Sequence, residues 1–189
     1  MRLNRPRIDP IADADLTPEQ AEALAPLREG GRPPLNIFRT LAHAPKALAR
    51  FNQWGGYVLS RRNDLPPRER EIVILRVGYL CRSGYEFTQH TRIGLASGLT
   101  EQEIAAIKTG ADAPGWSPAD RALIRMADDL IAGHFVTDPT WSELTAHFTQ
   151  KQCMDAVFTA GQYTQVSMFL NTFGVQLDEG QTLDPDLRA

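Results

Sequence analysis

One stretch of the chain is apolar almost all the way round a helix. Ile72, Val73, Ile74, Leu75, Val77, Tyr79 and Leu80 are separated only by Arg76 and Gly78, the pattern of a helix buried on several sides. The run is β-branched enough for a strand. However, Asn63-Asp-Leu-Pro-Pro67 ahead of it is a helix start: its prolines suit a first turn, and Glu69 and Glu71 favour the positive end of a helix dipole. Arg82-Ser-Gly84 breaks this helix, and a second is expected from about Tyr85 to Ser97, stopped at Gly98.

The same punctuation recurs along the chain. Thr17-Pro-Glu-Gln20 and Thr100-Glu-Gln-Glu103 read as capped helix starts, the first running to about Arg28 and the second to Gly110. Glu29 to Pro34 is a breaker. A short helix is expected over 35–43, and a longer one from Pro45 to Ser60, interrupted or closely packed at Gly55-Gly56. Ser117-Pro opens a helix over 118–133, Asp138-Pro139 another to about Phe148, and Thr149 begins the last and longest, to Phe173 before Gly174. No segment reads as a strand. The expected fold is all-α, a compact bundle of about seven to nine helices. It forms one domain over 17–189 with a core motif at 66–110, preceded by an arm, 1–16, that needs a partner surface to become ordered.

Composition narrows the function. Hydrophobic residues make up 42% and charged residues 23%, with a net charge of −3, ordinary for a soluble globular chain. Lys and Arg are scattered, so there is no electrostatic footprint for nucleic acid and no polybasic membrane patch. No run approaches the roughly 18 apolar residues of a membrane helix, and no apolar stretch follows the basic N-terminus to make a signal peptide. The two cysteines, Cys81 and Cys153, form no C-x-x-C, which argues against a disulfide framework or a paired-cysteine zinc site. A reduced, cytoplasmic protein is expected, with no metal or cofactor site.

The chemistry sits in Tyr85-Glu-Phe-Thr-Gln-His90. Glu86 and His90, four apart, share one helix face, and imidazole is the side chain that titrates nearest neutrality. Glu71 lies on the preceding helix. A straight antiparallel hairpin would put it beyond His90, so spacing alone does not require contact; Glu71 could equally be a first-turn charge or a partner for Arg76. Cys81 ends a buried helix, where a small hydrophobe or a reactive thiol would each fit. His43, His134 and His147 lie near helix ends, and Trp54, Trp116 and Trp141 read as packing residues.

The stretch 68–108 resembles the carboxymuconolactone decarboxylase family, which includes the alkylhydroperoxidase D-like proteins. The peroxidase branch carries a Glu, a C-x-x-C and a His whose positions fall here on Glu71, Ser83, Glu86 and His90, with both cysteines replaced. The decarboxylase branch carries Glu-Phe-x-x-His and an Arg two residues on, matched by Glu86-Phe87-x-x-His90 and Arg92. Its downstream Ala-Gly-x-Pro and Ser-x-Phe segments are met in part by Ala160-Gly161 and Ser167-Met-Phe169, with Gln162-Tyr163 where Val-Pro would stand.

The resemblance implies an acid–base enzyme without a cofactor. It would be a decarboxylase or isomerase of a small carboxylated substrate, such as a lactone from aromatic-compound catabolism. His90 would be the acid/base, with Glu86 and Glu71 as its relay. Arg92, Tyr85, Ser83, Gln162 and Tyr163 would line the substrate site. His90→Ala should then lower turnover with folding intact. Two alternatives stand beside it: a single-cysteine peroxidase using Cys81, and a non-catalytic oligomeric binding module. The apolar faces of 72–80 and 149–173, like the resemblance, favour a homo-oligomer.

Overall fold

The computed structural model describes residues 3–28 and 33–188. Among them run nine α-helices: α1 (Pro18–Leu24), α2 (Asn36–Leu41), α3 (Pro45–Val58), α4 (Pro67–Leu80), α5 (Gly84–Ala96), α6 (Glu101–Thr109), α7 (Pro118–Gly133), α8 (Asp138–His147) and α9 (Gln150–Phe173). No strand occurs among the described residues, and no helix of theirs is long and apolar enough to cross a membrane. The expected all-α bundle is the fold. Most of the expected breaker, residues 29–32, lies outside the described residues.

The local start signals act as read. Thr17, Thr100 and Thr149 each accept from the backbone N–H three residues on, while Gln20, Glu103 and Gln152 reach back to the cap N–H, so orphan donors at each helix start are satisfied. Helix α1 is shorter than expected, since Pro26 passes the chain into a 3-10 turn over Ala25–Leu27. Helix α3 runs unbroken through Gly55-Gly56.

Helix α4 is the axle, packed against α5, α6, α7 and α9. Residues 72–75 and Val77 have no exposed surface, so neighbours within the same chain cover the face that had suggested an oligomer. What stays outside belongs to α9, where Met154, Phe158 and Met168 are exposed, the second with Trp54 of α3 against it. Arg76 does not meet Glu71. It pairs with Asp128 at 2.6 Å and donates to the carbonyls of Ile107 and Lys108, where α6 ends.

Gly110, which ends α6, has φ 101 and ψ −157, a region open essentially only to glycine. A Cβ there would fall 2.7 Å from an Arg76 guanidinium nitrogen. Gly110→Ala is expected to cost about 2–4 kcal/mol from backbone strain plus the displaced Arg76, read as a lowered denaturant midpoint. A change within 0.5 kcal/mol would contradict this account.

The N-terminal arm lies on its own chain. Arg7 N–H donates to the Phe173 carbonyl, Arg39 donates to the Ile11 carbonyl, and Ile11 and Leu16 pack beside Leu24, Ala42 and Leu48. The C-terminal segment runs beside the arm, with Gln176 donating to the Leu3 carbonyl, and Asp178 accepts from the Asn36 N–H at 2.8 Å and so holds the start of α2.

Candidate active site

The α4–α5 hairpin is straight, as the short turn requires. Glu71 lies level with Gly94, one turn past His90: a Cβ on Gly94 would be 3.7 Å from the Glu71 Cβ, and 3.3 Å from a Leu75 methyl. Glycine at that point lets the two helices close. His90 of α5 and Glu71 of α4 reach each other across this turn of the helix pair. Glu71 Oε2 lies 2.6 Å from His90 Nδ1. Contact that spacing left open is thus made where Gly94 lets α4 and α5 close.

The other ring nitrogen, Nε2, lies 3.1 Å from Glu86 Oε1. That approach lacks hydrogen-bond alignment, and Oε1 has no hydrogen-bonding partner; the contact is charge against charge. The imidazole therefore stands between two carboxyl groups, all three residues being at least 94% buried. Tyr163 of α9 meets the ring edge-to-face, centroids 4.8 Å apart, and so fixes its plane.

Burial dominates the titration. It pushes the Glu86 carboxyl up to about 7; His90 pulls the other way and Glu71 adds to the rise. For His90, burial works against the imidazolium, but the charges of Glu86 and Glu71 and the Glu71 hydrogen bond outweigh it, and the net direction is upward. The Tyr163 hydroxyl is driven well above its ordinary 10.0 by burial, then by Glu86 and Glu71, so it remains a neutral donor. Arg70, which the sequence reading did not single out, is a buried cation whose charge opposes protonation of His90. Its Nη1 donates to the Ser60 carbonyl and its Nε has no partner.

Glu86 and His90 open onto a cavity of ≈ 430 Å³ between α2, α3, α5 and α9, within the range of small-molecule sites. Its walls are largely apolar, from Leu27, Leu35, Ile37, Phe38, Phe51, Leu59, Ile93 and Val166, with the polar residues Asn52, Glu86, Gln89, His90, Arg92 and Gln162 among them. Of the expected substrate residues, Tyr85, Arg92, Gln162 and Tyr163 line it. Arg92 is exposed at the rim, without an ion-pair partner among the described residues. The Tyr85 ring faces the cavity, but its hydroxyl donates to Asp178 at 2.6 Å, and Gln89 donates to the same carboxylate. Gln162 is buried with its Oε1 unpartnered.

Two expected residues stand apart. Ser83 is buried at the start of α5 with its hydroxyl unpartnered and does not line the cavity. Half-buried Cys81 ends α4 and faces a separate depression with Leu3, Arg7 and Asn171. Among the described residues no group of three or more His, Cys, Asp and Glu is arranged to hold a metal ion. The walls from α2 and α3, and Asp178, escaped the sequence reading. Loop closure across 142 positions between Asn36 and Asp178 leaves no trace in local periodicity; only Gly55-Gly56 hinted at a crowded or hollow place.

Residues 45–129 match the model of the carboxymuconolactone decarboxylase family. No functionally curated protein matches the chain. Solved structures share the fold at low identity. An uncharacterised peroxidase-related protein with an alkylhydroperoxidase AhpD core, from Ralstonia eutropha JMP134, is 19% identical with a TM-score of 0.77, over 91% of this chain and 93% of that one. A peroxidase-related protein from Silicibacter sp. TM1040 is 14% identical with a TM-score of 0.75, over 94% and 92%. The debrominase Bmp8 is 11% identical with a TM-score of 0.75, over 91% and 92%.

Proposed function

We propose that this chain, whose residues 45–129 match the model of the carboxymuconolactone decarboxylase family, is an acid–base enzyme, a decarboxylase or isomerase of a small carboxylated ring. One observation carries this reading. A histidine held between two buried carboxyl groups lines a largely apolar cavity.

In the decarboxylation, the bond from a ring carbon to a carboxylate breaks and carbon dioxide leaves. The electron pair passes into a conjugated carbonyl. Tyr163, kept neutral, donates to the oxygen that gains charge. His90, as imidazolium, gives its proton to carbon, and Glu86, titrating near neutrality, replenishes it. Glu71 holds the ring tautomer through Nδ1. Isomerisation uses the same groups, with the proton taken from one carbon and returned to another. The rim cation Arg92 pairs with a carboxylate that the product retains. The apolar wall leaves the departing carboxylate poorly solvated.

The debrominase with this fold is also known in complex with 2,3,4-tribromopyrrole, a small flat ring, which suits the scale of this reading. A peroxidase reading through Cys81 draws on the peroxidase-related neighbours alone, because Cys81 faces away from the cavity. The exposed Met154, Phe158 and Met168 of α9 form the surface we propose for self-association.

The test is a panel of small cyclic carboxylic and lactone acids followed by nuclear magnetic resonance in deuterated water. Loss of carboxylate or deuterium uptake on carbon is expected. In His90→Gln, which keeps a polar partner for Glu71, the rate should fall 10²–10⁴-fold. An undiminished rate would remove His90 from the mechanism. Arg92→Ala should raise KM about 10-fold with kcat little changed, as expected for a contact made equally in ground and transition states.

A further inference from the structure

Two acceptors in the cavity have nothing to accept from. Glu86 Oε1 and Gln162 Oε1 are both buried, in residues only 3% and 5% exposed, and neither has a hydrogen-bonding partner. They come from different helices, α5 and α9, and line the same cavity. Buried polar atoms left unpaired are rare and costly, and both residues border space that a ligand can enter. The Gln162 amide nitrogen would lie 3.6 Å from a Cβ at Gly55, so the glycine leaves room beside it. The amide can therefore present a donor or an acceptor to the cavity, according to which way round it lies.

We infer that the ligand of this cavity is a cyclic acid whose ring also carries a hydroxyl, seated between Glu86 Oε1 and the Gln162 amide while the carboxylate sits at Arg92. This rests on the reading of the cavity as a site for small carboxylated rings and adds the second polar group that the ring must bear. With the amide turned so that its nitrogen faces Glu86, one hydroxyl suits both residues: it donates to Glu86 Oε1 and accepts from the Gln162 N–H. A dry cavity of about 150 Å³ already holds benzene, so ≈ 430 Å³ accommodates a substituted ring with both groups. Phe38, Phe51 and Tyr163 supply flat walls for it. Gln162 is then a specificity-determining residue: it rejects rings that lack the hydroxyl by remaining unpaired.

Calorimetric titration of the full chain with benzoate, 3-hydroxybenzoate and 3-methoxybenzoate separates the parts. The expected result is 3-hydroxybenzoate binding at least 10-fold tighter than benzoate, with 3-methoxybenzoate no tighter than benzoate. Gln162→Leu and Gln162→Met should each erase that preference, bringing the ratio of 3-hydroxybenzoate to benzoate affinity to within about twofold of one. Using both guards against a packing fault in one. Benzoate binding that depends on Arg92 but shows no hydroxyl preference would overturn the inference and leave the acid-binding reading standing. A preference that survives both Gln162 variants would overturn it too. Failure of all three acids to bind would overturn both.

Discussion

His90→Ala is expected to destabilise the folded protein by about 3–5 kcal/mol near pH 7, before any effect on chemistry is considered. Glu71 is 1% exposed and its carboxylate bonds His90 Nδ1 at 2.6 Å. Removing the imidazole strands a buried carboxylate without its partner, and breaking a buried pair from one side costs that much. Chemical denaturation should show a lowered midpoint, and heating a transition roughly 6–20 °C earlier. Adding Glu71→Gln to His90→Ala should recover more than half of the loss, because the stranded charge is then gone. If His90→Ala proved as stable as the parent, the buried pair would not exist as described. This prediction replaces the expectation that His90→Ala leaves folding intact, and His90→Gln is the variant for activity.

The second large effect concerns pH. Stability should fall by about 3 kcal/mol between about pH 5 and pH 8, and Glu86→Gln should remove most of that fall. Burial holds the Glu86 carboxyl at about 7 against an ordinary value of 4.5, a difference worth about 3 kcal/mol. Between those values the folded state keeps a proton that the unfolded state has released, so raising the pH favours unfolding. His90 acts in the same sense. Its raised folded value means that its contribution is complete below its ordinary 6.5 and is lost as the pH climbs through the raised value. Glu86→Gln should accordingly be more stable than the parent at pH 8 and near it at pH 5. Parallel stability curves for the two proteins would show that Glu86 does not titrate in this window.

Much of the architecture was legible because it is written in local rules. The threonine caps at 17, 100 and 149, the serine cap at 117 and the glycine stops at 98, 110 and 174 act within a few residues of themselves. An all-round apolar run such as 72–80 must be buried whatever surrounds it. The Glu86–His90 pair was legible for the same reason, since i,i+4 spacing needs no tertiary information.

Legibility stopped where a side chain had to choose among distant partners. Tyr85 was read as a ligand contact, yet its hydroxyl is bound to Asp178, on a segment that no periodicity connects to α5. Arg76 found Asp128 on α7 rather than Glu71 on its own helix, because helical neighbours at i−5 do not face each other. The arm over 1–16 was expected to need a partner surface, and α2 and α9 provide it.

By itself, then, the sequence determined the helices, their caps, the buried axle and a proton-handling pair, since each depends on residues within about a turn of one another. Tertiary structure alone decided that Glu71 reaches His90, that Glu86 loses enough water to titrate near 7, and that Gln162 and Arg92 share a cavity with them. These are matters of distance and desolvation between helices. Both depend on how closely α4, α5 and α9 pack, which no single segment encodes.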